Sequence, residues 1–260
     1  MFIFLFFSCF YLQANILYEE ILSNFPKSQK MLYSGSKYLV GTMELDISVT
    51  KENNILKMHN HEKVFIMAIT AHQSFIDSEL KLASDKPTYT RYKDFRKNAM
   101  RFNFFYNDFY RYIRVTKFQD LLEIDLAGKI ISPKNFNPKK HSIKNKKLAF
   151  DGKNTFVFDP NLLIITIPYL DKKLVERLNK INVVFVTMDH IIPFKLEIVK
   201  ETEDIRHIAL NYTNKHAMKM DLKFDQLIVD KKRKVLTKII GSEKHVGKVY
   251  VSLEKFEVVN

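Results

Sequence analysis

Histidines, paired carboxylates and a run of lysines are the residues in this chain with the means to do chemistry. His59 and His61 stand two apart in a stretch that reads as strand. There they share a face and can offer two imidazole nitrogens to a metal. Spacing identifies no further ligand, so ordinary surface histidines are the favoured reading and no metal or other cofactor is expected. Glu44 with Asp46, and Glu123 with Asp125, repeat that spacing with carboxylates. Acid–base work needs one member of such a pair in surroundings that raise its pKa, yet both pairs fall on the polar side of their strands. The chain has no His-Glu-x-x-His motif, no Gly-x-Ser-x-Gly elbow and no glycine-rich phosphate loop. No catalytic residue is therefore nominated.

The formal net charge is +13, which calls for an anionic partner or a well-solvated surface. Gly128 to Lys147 is the most basic stretch and contains no acid. Pro133, Asn135, Asn137 and Pro138 argue for a loop there. Lys134, Lys139, Lys140, Lys144, Lys146 and Lys147 are the candidate contacts for anionic lipid headgroups or other acidic surface polymers, at about 1 kcal/mol per lysine near a charged membrane. Tyr89 to Arg114 interleaves rings with arginines, a pattern that stacks bases in single-strand binders. It equally fits rings filling a β core while long basic side chains cover the wet face. The core reading is preferred, and nucleic acid is disfavoured as a partner.

The first residues bear on compartment. Met1 to Leu12 is almost wholly apolar and too short for a stable span. With Ala14 following, it fits a cleaved secretory signal over residues 1–14. Cys9 is the sole cysteine, so the mature chain is expected to have no disulfide. Lipidation at Cys9 is the alternative. The expected location is the periplasm or outer-membrane periphery of a bacterium.

Residues 15–260 then read as one mainly-β domain. Asn15 to Phe25 has a helical apolar stripe in Leu17, Ile21 and Phe25, ended by Pro26. Tyr38 to Val49 alternates, with Leu39, Met43, Leu45, Ile47 and Val49 on one side and Gly41 in the same register. Further strands are expected over Ile55–Asn60, Val64–Thr70, Phe75–Leu82, Arg101–Tyr106, Tyr110–Val115, Leu121–Ala127, Thr155–Phe158, Leu162–Ile167, Asn182–Met188, Pro193–Val199 and Arg206–Thr213. Asp171 to Leu178 predicts a minor helix. From His216 to Ile228 the even positions, including Phe224, Gln226 and Ile228, form the inner face of a strand. Val235–Ile240 and Val249–Val258 close the set. The fold class is a large curved antiparallel sheet or half-open barrel with a short N-terminal helix and one minor helix.

Several short motifs carry a resemblance. Asp230-Lys231-Lys232-Arg233-Lys234-Val235 and then Gly247 to Leu253 form a charged turn and a glycine-started last strand. With Tyr33-Ser34-Gly35, Val40 to Leu45 and Asp159-Pro160, they resemble a family of uncharacterised exported bacterial proteins. Lys234 stands where that family has proline, and the Gly128–Lys147 loop is distinctive. Members resemble the periplasmic lipoprotein-carrier and receptor fold, a curved antiparallel sheet open on one side to apolar ligands. The resemblance implies a non-enzymatic envelope protein that binds or carries a lipid or other apolar ligand on its concave face. An envelope-polymer hydrolase, or a basic structural protein on anionic surfaces, is the alternative.

Overall fold

The computed structural model describes residue 20 and residues 25–37, 41–53, 55–66, 69–81, 89–98, 109–118, 121–129, 142–149, 155–158, 160–186, 191–213, 222–243 and 247–259. Side chains are described through most of 25–65 and 156–259, and those of 66–155 are not. The first part of the chain supplies β1 (Ser28–Lys37), β2 (Gly41–Glu52), β3 (Ile55–Ile66), β4 (Ile69–Lys81), β5 (Tyr89–Asn98), β6 (Phe109–Phe118), β7 (Leu121–Lys129) and β8 (Ser142–Ala149). The second part supplies β9 (Thr155–Phe158), β10 (Asn182–Val186), β11 (Ile191–Glu201), β12 (Ile205–Tyr212), β13 (Leu222–Asp230), β14 (Val235–Glu243) and β15 (Gly247–Val259). Helix α1 (Pro160–Thr166), a 3-10 turn (Ile167–Tyr169) and helix α2 (Lys172–Leu178) separate β9 from β10.

The strands make one fifteen-stranded sheet in the order β8-β7-β6-β5-β4-β3-β2-β1-β15-β14-β13-β12-β11-β10-β9. Two meanders meet where β1 pairs with β15. Pairing is antiparallel throughout except for β9 beside β10, which is parallel because the helices carry the chain across between them. The order has a consequence for shape. Strands β8 and β9 lie at opposite edges, yet Ala149 and Thr155 are joined by a linker whose reach is at most about 22 Å. Laid flat, fifteen strands at about 4.8 Å spacing span about 67 Å. The sheet therefore curls until its edges approach. No ladder joins β8 to β9 among the described residues.

Bulges supply part of the bend, each adding an unpaired residue and local twist. Val199 is the extra residue on β11, Asp225 on β13, Thr237 on β14 and Glu254 on β15. Gly35 lets β1 and β15 approach closely, since a Cβ there would meet the Tyr250 carbonyl oxygen at 2.6 Å.

The concave side holds the core. On β2, Leu45, Ile47 and Val49 are buried while Thr42, Glu44 and Asp46 are exposed, as the alternation predicts. Helix α1 is buried all round, with Leu162, Leu163, Ile164 and Ile165 each nearly inaccessible. Burial contributes roughly 1.5–3 kcal/mol for each such side chain. The rings of Phe156, Phe158, Phe185, Phe194 and Phe224 pack beside it in tilted and edge-on pairs. Asp171 caps α2 by accepting from the Leu174 amide at 2.7 Å.

Several expectations are corrected. Leu162–Ile167 is helix and 3-10 turn, not strand. An apolar run with no polar face has no period to read, and the buried helix and the buried strand look alike. In β13 the inner residues beyond Phe224 are Leu227 and Val229, not Gln226 and Ile228. The Asp225 bulge moves the face by one residue. Strand β1 extends well beyond the Tyr33-Ser34-Gly35 motif, over Ser28–Lys37. Of the helix expected over Asn15–Phe25, Glu20 is helical and Phe25 is buried; the rest lies outside the described residues, as do residues 1–14, Arg101–Tyr106 and His216–Met220.

Candidate functional site

The interior of the curl is where the fold concentrates polar groups in apolar surroundings. On β3 the concave residues are Leu56 and Met58, each 1 % exposed, then Asn60 at 6 %, then half-buried Glu62. Asn60 Nδ2 donates to Asn161 Oδ1 of α1 at 3.0 Å. Asn60 Oδ1 is buried and has no partner. A buried orphan acceptor is uncommon, because desolvating it without a donor costs about 1–3 kcal/mol. Gln29 of β1 donates to the Tyr169 hydroxyl at 2.7 Å. Burial pushes the Tyr169 phenol up to about 12, against the opposing effect of the Gln29 bond. Tyr33 is fully buried, and desolvation pushes its phenol up as well.

One end of the helical insertion is clamped to the sheet rim. Arg206 on β12 is 7 % exposed and donates from Nη1 to the Leu170 carbonyl. Its Nη2 and Nε reach Glu201 Oε1 at 2.6 and 3.0 Å. Lys231 Nζ adds a contact to the same oxygen at 2.9 Å. Hydrogen bonds from Arg206, foremost, and Lys231 hold the Glu201 carboxyl below the usual range. At the other end, Asn179 Nδ2 donates to the Leu196 carbonyl at 2.6 Å and its Oδ1 accepts from the Leu196 amide at 3.1 Å. Its amide thereby prolongs the ladder beside β11. Glu20 ties to Arg177 of α2 at 2.9 Å.

Helix α1 packs on β4, β9 and β14, and the 3-10 turn on β13 and β14. Among the described residues, neither helix makes more than slight contact with β5 to β8. Register carries the concave face of β3 onto that wall. Met58 stands opposite Ser78, then Tyr92, Ile113 and Leu126 in turn. Leu56 leads likewise to Leu80, Thr90, Val115 and Ile124. The Asn60 row runs through Ile76, Asp94 and Arg111, and the Glu62 row through Ser74, Arg96 and Phe109.

The residues nominated from sequence fall in several places. Lys134, Lys139 and Lys140 lie outside the described residues. Lys144, Lys146 and Lys147 belong to β8, not to a loop, a correction to the reading of Gly128–Lys147. The prolines that suggested a loop lie before the strand. Lysine is a residue that keeps an exposed edge from pairing with another sheet. Lys144 and Lys146 pair with Leu126 and Ile124, and Lys147 with Glu123. His59, His61, Glu44 and Asp46 lie on the convex face, where Glu44 and Asp46 are exposed. The side chains of Glu123 and Asp125 lie outside the described set. The side chains of 89–114 lie outside the described set as well. No helix among the described residues is long and apolar enough to cross a membrane.

Among solved structures, the chain is similar to a crystal structure described as a β-barrel-like protein of domain of unknown function DUF1849 from Brucella abortus, with a TM-score of 0.50. The likeness is one of fold. Identity is 7 %, over 91 % of this chain and 99 % of that one. No family model matches the sequence, and no curated protein is similar to it.

Proposed function

We propose that the protein is a non-enzymatic binder of a lipid or other apolar ligand, exported to the cell envelope, and that the ligand lies against the concave face of β5 to β8. One observation carries the reading: the sheet is far wider than its plug. Fifteen strands at about 4.8 Å spacing make a curled sheet about 67 Å wide, with no ladder between β8 and β9 among the described residues. A helix with its side chains fills about 10–12 Å of that, and the seven residues of α1 extend for only about 10 Å. Small barrels fill their interiors with side chains, and wider ones enclose ligands. Register pairs Val115 with Ile124 and Ile113 with Leu126 along this part of the sheet. The absence of catalytic motifs from the sequence and the exposure of Glu44 and Asp46 favour binding over hydrolysis.

Titration of the purified protein with N-phenyl-naphthylamine tests this. Saturable, blue-shifted emission that long-chain lipids displace is the expected result. Emission that never saturates, or that no lipid displaces, would overturn the reading.

A further inference from the structure

We propose that one end of the curl docks on an anionic lipid surface, through exposed lysines that no carboxylate neutralises and exposed aliphatic side chains set between them. The proposal goes beyond lumenal binding and does not depend on it.

Register defines that end. Ser28 of β1 pairs there with Val259 of β15, Ile205 of β12 with Asp230 of β13, and Asp230 with Val235 of β14. Val199, Ile205, Val258 and Val259 all lie at this end and are between 42 and 57 % exposed. A single exposed aliphatic residue is ordinary on a protein surface, but these four flank one basic turn. Val199 and Ile205 stand either side of the turn from β11 to β12. Beyond Ser252, β15 pairs with β1 alone among the described residues, which leaves Val258 and Val259 at an open rim.

The turn between them is Lys231 to Lys234. Lys231 meets Glu201 at 2.9 Å, Lys232 meets Asp204 at 2.7 Å and Arg233 meets Asp230 at 2.8 Å. The Lys231 amide also donates to the Asp204 carbonyl at 2.8 Å, so the two turns are fastened together. Lys234 instead lies 5.5 Å from the centre of the Tyr169 ring. The Tyr169 hydroxyl accepts from Gln29, the register partner of Val258, so the turn and the end of β15 belong to one surface. The Arg206 bond to the Leu170 carbonyl brings the start of α2 to the same end. Lys27, Lys172, Lys173, Lys200 and Lys234 are exposed there and pair with no carboxylate among the described residues. Fewer acids lack a cation: Asp171, which caps α2, Glu176 and Glu203.

Charge chooses the occupant. A second copy of the chain would set these lysines against one another. Single-stranded nucleic acid is held by stacked rings, and the exposed apolar side chains here are aliphatic. A bilayer with acidic headgroups answers both features. Its phosphates attract the lysines, whose stems lie along apolar surface, and the zone beneath accepts valine and isoleucine.

Co-sedimentation of the full chain with phosphatidylcholine vesicles, plain or with about one third phosphatidylglycerol, tests this. Binding to the anionic vesicles is expected to be at least about tenfold tighter and to weaken as salt is raised. Lys172→Gln with Lys173→Gln should lower that affinity about tenfold. Ile205→Ser with Val259→Ser should lower it severalfold and leave the salt dependence in place. Lys195→Gln with Lys248→Gln removes the same exposed charge elsewhere and should change it little. Equal losses from the two lysine pairs would show attraction to the net charge of +13 alone and overturn the docking surface. Equal binding to both vesicle types, or to neither, would overturn it as well. Each of these failures leaves lumenal binding, which the dye titration reads, standing.

Discussion

Removing the Arg206 guanidinium is the sharpest perturbation of the clamp that holds the helical insertion in the curl. In Arg206→Met the chain loses two bonds to Glu201 and one to the buried Leu170 carbonyl. A hydrogen bond to a charged group contributes roughly 1.5–3 kcal/mol, and a buried carbonyl left without a donor costs about 1–3 kcal/mol more. Glu201 keeps Lys231 and partial access to water, so its own loss is softened. The expected sum is about 3–4 kcal/mol, near the range for breaking a buried pair. For a chain of this size that lowers Tm by about 10 °C. Arg206→Lys keeps the charge but not the fork, and should lose about half as much. Urea unfolding at neutral pH, followed by circular dichroism, reads both. The carboxylate sets the sign with pH. Its pKa is lowered in the folded state, so its contribution is full above the unfolded value near 4.5 and fades as pH falls through the folded value. The stability gap between the native chain and Glu201→Gln should narrow only below about pH 4.5. A loss under about 1 kcal/mol for Arg206→Met, or a gap that widens in acid, would refute the reasoning.

Further outcomes follow from the backbone. Gly35→Ala places a methyl against the Tyr250 carbonyl; a loss of about 1–3 kcal/mol is expected, read as a lowered urea midpoint. Lys234 has a φ of +52° and its Nζ lies 5.5 Å from the centre of the Tyr169 ring. Proline cannot adopt that φ, so Lys234→Pro should cost about 3 kcal/mol or more. Lys234→Gly should be near neutral in the same assay, since relief of about 1 kcal/mol offsets the lost ring contact. Arg233 donates to both oxygens of Asp230, and these bonds outweigh burial to hold that carboxyl low. Arg233→Ala should therefore raise the Asp230 pKa, measurable by carbon NMR titration.

The β class and most strand positions were legible because one wet face and one dry face impose a period of two. Leu45, Ile47 and Val49 show it plainly. The pattern failed where both sides are dry, as in Leu162 to Ile167, and where a single extra residue resets the face, as at Asp225. Nothing in a period of two announces a bulge. The polar interior left a weak trace: Asn60 and Arg206 each occupy a position in an apolar register, Leu56-Met58-Asn60 and Arg206-Ile208-Leu210. A long-range partner such as Asn161 or Leu170 is set by the path of the sheet, which local pattern does not carry. Lys234 adopts a positive φ that excludes proline, a backbone choice that no local pattern announced.

The account turns on whether the curled sheet carries something greasy inside. Native mass spectrometry of the protein purified from its own cells, followed by solvent extraction, asks this directly. The prediction is a mass excess of one lipid-sized molecule per chain, released by solvent. A bare polypeptide mass, from a protein that also takes up no lipid when it is offered, would contradict it.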